Sequence, residues 1–485
     1  MTQNYIYEED TIVAISTPIG TGGLGIVRMS GKKSIDIAKK IFVPYKKNKI
    51  VEKIPTFSVT LGNIVDGKNI FDEVLMTIMR APKSYTCEDV VEFSCHGGIL
   101  ILQKVVELCL KYGARLAQPG EFTKRAFLNG RIDLSQAEAV AEVINSKNLI
   151  QTKLATNSLL GKTKQFVENI VQKLKSIIAE VEVTLEYPDD EKFVNEKKIT
   201  QKMKNVVREL KNVISNSEKL LPLMNQVNIA IIGKPNVGKS SLLNVLLQQD
   251  RVIVSPIPGT TRDTISEVIN IGGITARIVD TAGIRDHSQD LIEKIGIERT
   301  KNAIKEADLI FFMLDAKCGI SNEDFYIAEL ISLMSNEIKK MVVILINKID
   351  LKPNYNKSHL SKLTKKLRNI KLAGIIEISC KKLLGIKKVE NSVIKCLGLS
   401  SKKEVEKVVS SYDQTNVVLT NLRQISLIKS ALDEINNSLK HNLITQPELF
   451  CHHLSTATKE LLKISGGEFT EDILNIIFSK FCVGK

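Results

Sequence analysis

The stretch GKPNVGKSS, Gly233 to Ser241, carries the residue types and spacing that hold a phosphate chain. It follows an apolar strand pattern and precedes the helical LLNVLLQQ. Gly238 lets the backbone approach a phosphate closely. Successive N–H groups from Asn236, Val237 and Gly238 onward meet negative charge at a helix start; Lys239 reaches the outer phosphates, and Ser240, with Ser241 beside it, can ligate Mg2+. Three further pieces follow in the order such a site requires: Thr261 in GTTRD as a second Mg2+ ligand, Asp280, Thr281, Ala282 and Gly283 as DTAG after a strand, and Asn347, Lys348 and Asp350 as NKID after another. A carboxylate at Asp350 accepts from both the ring N–H and the exocyclic amine of guanine, whereas adenine presents a mismatched edge. Ser379, Cys380 and Lys381, following the next strand, can back the base with a main-chain N–H. The chemistry expected is GTP binding and hydrolysis.

DTAG is followed by Ile284, where many small GTPases carry a glutamine that orients the attacking water. Isoleucine has no group for that task. Either hydrolysis is slow or another polar residue reaches the water, and Arg285, Asp286, Asp290 and Glu293 stand nearby, each otherwise an ordinary solvated switch residue. A second reactive residue is Cys482 in the terminal CVGK. A lipid anchor, a core position and chemistry at the tip are the three readings of it, and lysine is a poor final residue for prenylation. His452 and His453 lie in a polar helical stretch without ligand-spaced cysteines and read as solvated surface; His96 in CHGG reads as a turn residue or pocket wall.

Around these residues lies an ordinary globular composition. The 485 residues, 43% of them hydrophobic, allow about three domains with real cores. A net charge of +14 favours a polyanionic partner such as nucleic acid, although lysines scattered through an Ile/Lys/Asn-rich chain account for it equally well. Eight cysteines occur without a CxxC pair, which points away from zinc sites and disulfide scaffolds and toward a reducing cytosol. The acidic MTQNYIYEED lacks the order of a signal or transit peptide, and no apolar run approaches the roughly 20 residues that span a bilayer. A cytoplasmic protein without membrane association is expected.

Three textures position the reactive residues. From Thr11 to about Gly120, β-rich runs such as TIVAIS and EVLMTIM alternate with glycine-rich turns, an α+β pattern. From about Glu121 to Leu220 the apolar spacing is helical, with Asp133 placed to cap a helix. From Val227 to about Leu397, apolar strands separated by helical stretches give the pattern of a doubly wound parallel sheet, and the chain then turns helical again. Two helical zones flanking an α/β unit imply an insertion, residues 121–220 and 399–485 pairing into one discontinuous helical domain around an inserted unit at 221–398. The apolar Ile473, Ile476, Ile477 and Phe481 predict the face by which the last helix docks the tail against that helical domain.

GKPNVGKSS, SPIPGTTRD, DTAGIRD and EKIGIER together resemble the guanine-nucleotide domain of the MnmE (TrmE) family of tRNA-modification GTPases. The resemblance extends over the chain, since DTIVAISTPIGTGGLGIVRMSG, PKSYTCEDVVEFSCHGG, PGEFTKRAFLNGRIDLSQAEAVAEVI and CVGK match the family's segments in the same order. It implies an N-terminal α+β folate-binding and dimerisation domain at 1–120, the discontinuous helical domain, and an inserted Ras-like P-loop GTPase domain. It further implies a homodimer that, in a heterotetramer with the FAD-dependent MnmG (GidA), adds an aminomethyl or carboxymethylaminomethyl group to C5 of the wobble uridine of certain tRNAs. A 5-formyl- or 5,10-methylene-tetrahydrofolate would supply the one-carbon unit, with Arg28, Glu88, Arg131 and Lys485 on folate-contacting positions.

The same resemblance places the water-positioning acid on Glu293 and a potassium ion on Asn236, Ser255, Ile257 and Thr260, with Pro256, Pro258 and Gly259 completing the loop against the nucleotide. Two departures are visible: IRDHSQDLI is one residue longer than the family form, so Glu293 depends on the anchor chosen, and Pro256 and Pro258 stiffen the potassium loop. Cys482 is then delivered to the folate pocket, where it acts as nucleophile or acid or serves to position. A ribosome-assembly GTPase fits the charge and the nucleotide motifs but leaves the N-terminal segments and CVGK unexplained. A membrane-associated switch would need an anchor that the sequence lacks.

Overall fold

A computed structural model describes residues 10–46, 50–146, 148–186, 196–224, 226–249, 266–271, 274–280, 300–334, 340–367, 370–396, 417–441, 445–467 and 471–484. The chain divides into two compact units, one formed by Met1–Asn145, Ala155–Asn212 and Asn421–Lys485, the other by Ser146–Leu154 and Val213–Thr420.

The first unit holds a seven-stranded sheet of β1 (Thr11–Ile15), β2 (Gly25–Ser30), β3 (Phe42–Pro44), β4 (Ser58–Asp66), β5 (Asn69–Met79), β6 (Val90–Cys95) and β7 (Ala114–Leu116), in the order β3-β4-β5-β6-β2-β1-β7. Neighbours are antiparallel apart from the parallel pair β1 and β7. Alternation along β1 and β2 sorts their side chains between two faces. Val13, Val27 and Met29 enter a core with α1 (Ser34–Ile41) and α2 (Ile99–Lys111). Ile12 and Ala14 pack on the other side with Ala117, Phe122 and Tyr85, and the Arg28 guanidinium stands 5.7 Å from the Phe122 ring centre.

Phe122 belongs to α3 (Glu121–Leu128), and α4 (Leu134–Asn145) follows. Asp133 caps α4 as expected: its Oδ1 accepts from Gln136 N at 3.1 Å and Ser135 Oγ at 2.5 Å, while Gln136 Oε1 accepts from Asp133 N at 3.0 Å. This reciprocal box satisfies donors that the first turn leaves open. Helices at Lys162–Glu186, Leu422–Ser438 and Pro447–Ser465 also belong to the helical part, with Arg423 donating to both carboxylate oxygens of buried Glu138 at 2.7 and 2.9 Å.

The last helix, Glu471–Phe478, corrects the expected face at two of its four positions. Leu474, Phe478 and Phe481 are buried with Phe127 and Leu134, whereas Ile473 and Ile476 are exposed. The helix is short and its contact surface is α3 and α4, so Leu474 and Phe478 take the buried places expected of Ile473 and Ile476, while Ile477, packed against the same cluster, and Phe481 lie as expected. Burying Phe478 there contributes about 2 kcal/mol.

The second unit holds β8 (Val227–Ile232), β9 (Ser266–Ile271), β10 (Ile274–Asp280), β11 (Leu309–Asp315), β12 (Met341–Asn347) and β13 (Lys371–Glu377), in the order β13-β12-β11-β8-β10-β9. β11, LIFFMLD, is buried along its whole length, as an apolar run in a sheet covered on both faces must be. The sheet is parallel except at its β9 edge, which runs antiparallel to β10. Two residues separate those strands, too few for the crossover that parallel pairing demands.

One charge cluster ties the first unit together. Arg125 is 2% exposed; its guanidinium donates to Asp10 Oδ1 at 2.6 Å, Glu121 Oε1 at 2.9 Å and both Glu88 oxygens at 3.2 Å. Burial opposes the Glu121 charge, but Arg115, the Gln118 N–H and Arg125 outweigh it and hold the carboxyl below its ordinary value near 4.5. A depressed carboxyl contributes stability above its unfolded pKa that is lost as pH falls through the folded value. Arg125→Met strands these carboxylates and should cost about 3 kcal/mol. Urea titration followed by circular dichroism checks it, and an unchanged midpoint would show the cluster to be dispensable.

Candidate nucleotide and tail sites

The phosphate loop runs from the end of β8 into α5 (Lys239–Gln249). Asn236 takes a left-handed φ of +64° and Gly238 one of +103°. Gly238 has a second reason to be glycine, because a Cβ there would lie 2.3 Å from Asn347 Nδ2. Val237 is buried, while Ser240 and Ser241 are exposed at the start of α5. Lys239 Nζ donates to Gly233 O at 2.8 Å and Lys234 O at 3.0 Å, so its ammonium rests over the loop.

NKID sits at the end of β12, beside that loop. Asn347 Nδ2 donates to Val237 O at 2.8 Å, and Asn347 Oδ1 accepts from Cys380 N at 3.2 Å. Of the 379–381 segment expected to back a base with a main-chain N–H, the Cys380 N–H is engaged within the protein. Lys348, at φ +68°, donates to Asn236 O at 2.7 Å and Asp315 Oδ2 at 2.6 Å. Burial disfavours the Asp315 charge, yet Lys348 and the N–H groups of Cys318 and Lys317 hold its pKa below the ordinary value. Buried Ser379 donates to Asp350 Oδ1 at 2.6 Å, and this hydrogen bond lowers the Asp350 pKa, keeping the carboxylate ionised and aimed as an acceptor. Lys381 is exposed next to it.

Asp280 ends β10. Ser255, Pro256, Ile257, Pro258, Gly259, Thr260, Thr261, Thr281, Ala282, Gly283 and Glu293 lie outside the described residues, as does Lys485.

The tail meets β1 rather than only helices, which extends the expectation for its docking. Val483 bridges Pro119, Gly120 N donates to Cys482 O at 3.3 Å, and Gly484 O accepts from Ser16 Oγ at 3.1 Å and Arg28 at 3.3 Å. Gly484, at φ +95°, approaches so closely that a Cβ would lie 2.4 Å from Ile15 O. Cys482 is exposed and, with Val483, lines an apolar cavity of about 860 Å3 beside Ile15, Ile19, Leu110 and Ile144.

The other charged positions do not converge on that cavity. Arg28 pairs with Glu92 at 2.6 Å, and Glu88 accepts from Ser30 Oγ at 2.6 Å besides Arg125. Arg131 stacks 4.8 Å from the Tyr85 ring and lines a separate cavity of about 460 Å3 with Tyr85, Cys87 and Lys83. Phe122 and Tyr85, the aromatic partners of the two arginines, share one cluster. Sequence reasoning missed Arg125, Glu92 and Asp315. Asp315 alone carried a signal, a single carboxylate closing an otherwise apolar strand.

His453 departs from a plain solvated role: its Nδ1 lies 2.7 Å from Glu434 Oε2, and its ring stacks on His441. His96 hydrogen-bonds Asp72 at 2.5 Å, which raises its pKa above the usual 6.5. No group of three metal-ligating side chains and no helix long and apolar enough to cross a membrane occur among the described residues. Of the thiols, Cys318 and Cys482 are exposed, whereas burial pushes Cys95 up to about 12 and Cys380 up to about 11.

Two family models match the chain: "GTP-binding protein TrmE N-terminus" over residues 11–131 and "MnmE helical domain" over residues 134–482. The tRNA modification GTPase MnmE of Acetivibrio thermocellus is 42% identical over 99% of this chain and 100% of its own length. That of Carboxydothermus hydrogenoformans is 42% identical over 98% and 100%. Among solved structures, a point variant of Aquifex aeolicus Era bound to GDP.AlF4- is 29% identical over 45% of this chain and 69% of its own, with a TM-score of 0.28.

Asp350→Asn reverses one hydrogen-bonding partner at the base and should weaken GDP binding by about a hundredfold while admitting xanthosine diphosphate. Fluorescence titration with both diphosphates measures this, and unchanged GDP affinity would remove Asp350 from the base site.

Proposed function

Because this chain belongs to the MnmE family of tRNA-modification GTPases, we propose that its nucleotide unit drives addition of a (carboxymethyl)aminomethyl group to C5 of the wobble uridine of certain tRNAs. It is a GTP-hydrolysing enzyme of tRNA modification. The observation that carries this reading is agreement along the whole chain, N-terminal sheet and tail included. A ribosome-assembly GTPase would account for the nucleotide unit alone.

Within the nucleotide unit we assign Lys239 to the outer phosphates, Asn347, Lys348, Asp350 and the 379–381 segment to guanine, and Ser240 with Thr261 to Mg2+. The exposed Ser240 hydroxyl at the start of α5 suits a hard cation bridging phosphate oxygens. Asn236, Ser255, Ile257 and Thr260 are assigned to K+, and Glu293 to the attacking water. A monovalent cation there neutralises charge that develops in phosphoryl transfer. Asn236 suits the task in being exposed, with its backbone turned by a positive φ.

We assign a tetrahydrofolate derivative to Arg28, Glu88, Arg131 and Lys485. The described three fit it in part: Arg131 beside Tyr85 offers a cation and a ring to a flat, anionic ligand, and Glu88 is an acceptor fixed by Ser30 and Arg125. The folate would supply the one-carbon unit. Cys482, held by the contacts of its neighbours with Pro119, Ser16 and Arg28, would serve as nucleophile or acid or would have a positioning role. A homodimer joined through N-terminal domains, an FAD-dependent MnmG-type partner in a heterotetramer, and a cytoplasmic location complete the proposal.

Nucleoside analysis of tRNA from cells lacking the protein tests the reading directly, since retention of the modified wobble uridine refutes it. Cys482→Ser should leave GTP turnover near the parent rate and abolish the modified nucleoside; a normal tRNA digest would rule out an essential role. Exchange of Na+ for K+ should raise GTP turnover at least about tenfold, because a transition-state charge is newly matched. Equal rates in the two salts would remove the potassium site.

A further inference from the structure

We propose that Lys234 is a positioning residue for the phosphate loop: its ammonium, seated on Asp324, fixes the peptide whose carbonyl holds Lys239. Lys234 follows Gly233 and lies outside the set of residues assigned above to nucleotide or metal. Its Nζ donates to Asp324 Oδ2 at 2.9 Å, Ser321 Oγ at 3.2 Å and Gly319 O at 3.3 Å. The Lys234 side chain is 12% exposed and that of Asp324 wholly buried. Asp324 Oδ2 also accepts from Ser321 N at 2.8 Å, while its Oδ1 has no hydrogen-bond partner among the described residues. A surface lysine wanders among rotamers; one withdrawn from water onto three acceptors keeps a single geometry, because leaving it would strand a charge.

That geometry reaches the phosphate lysine through one residue. The Lys234 carbonyl accepts from Lys239 Nζ at 3.0 Å, next to the Gly233 carbonyl at 2.8 Å. The Lys234 side chain thus pins the loop to the first turn of the helix Asn322–Met334, and its carbonyl sets where the Lys239 ammonium rests. The far anchor is itself constrained. Gly319, at φ +73°, sits where a Cβ would lie 2.7 Å from Asn354 O. The inference rests on the nucleotide-site reading and extends it by one residue. A merely structural ion pair would cost stability alone, whereas a positioning pair costs affinity for phosphate-bearing nucleotides even when stability is restored.

The test uses the full chain with Mg2+ and K+, measuring GTP hydrolysis, GDP binding and melting temperature for Lys234→Met and for the double variant Lys234→Met/Asp324→Asn, which leaves no buried carboxylate unpaired. In both variants KM for GTP and Kd for GDP should rise roughly tenfold with kcat within about twofold of the parent, as expected for a lost charge-assisted hold on the ground state. The double variant should regain melting temperature without regaining affinity. Parent-like KM in the folded double variant, or affinity that recovers in step with melting temperature, overturns the proposal. Lys239→Ala separates the two levels: if it binds GTP as the parent does, the nucleotide-site reading fails and this inference with it; if it weakens GTP while both Lys234 variants are silent, only the inference fails.

Discussion

A guanidinium removed from water has to be met by carboxylates, and in the first unit that requirement fixes much else. Arg125 draws Asp10 from the start of β1, Glu88 from the segment before β6 and Glu121 from its own helix into one cluster. Glu88 is thereby held against Ser30, so α3, the sheet and the 84–89 segment share one network. The positions assigned to folate inherit their order from this buried charge balance. Glu88 is presented by Arg125, and Arg28 by Glu92 and the tail carbonyl.

The nucleotide unit solves a related problem with one amide and one ion pair. Its phosphate loop and the NKID segment lie far apart in the sequence, yet Asn347 and Lys348 donate directly to Val237 O and Asn236 O. Such cross-links let a small loop with two left-handed residues keep one shape before nucleotide arrives. Asp315, ionised under Lys348, is the electrostatic counterweight.

Elements whose apolar pattern matches a local geometry were legible from sequence. β8, β11 and β12 are apolar runs of strand length, the phosphate loop is a motif with its own backbone logic, and Asp133 announces a helix start. Less legible were features set by distant partners. β9 turns antiparallel because its neighbour follows after two residues, and the last helix buries 474, 478 and 481 because α3 and α4 lie on that side. Among site residues, Asp350 and Lys239 stand in their motifs, whereas nothing local distinguishes Arg125 or Glu92 from solvated charges. Their burial is a property of tertiary packing.

The thiol inventory has a practical side. Six of the eight cysteines are buried or half-buried, and the two exposed ones fall one to each compact unit, Cys318 after β11 and Cys482 in the tail. The native sequence thereby offers a spectroscopist two attachment points for spin labels or dyes, without engineered handles. One reports from the end of β11 beside Asp315, the other from the lining of the apolar cavity, so each compact unit carries its own reporter position.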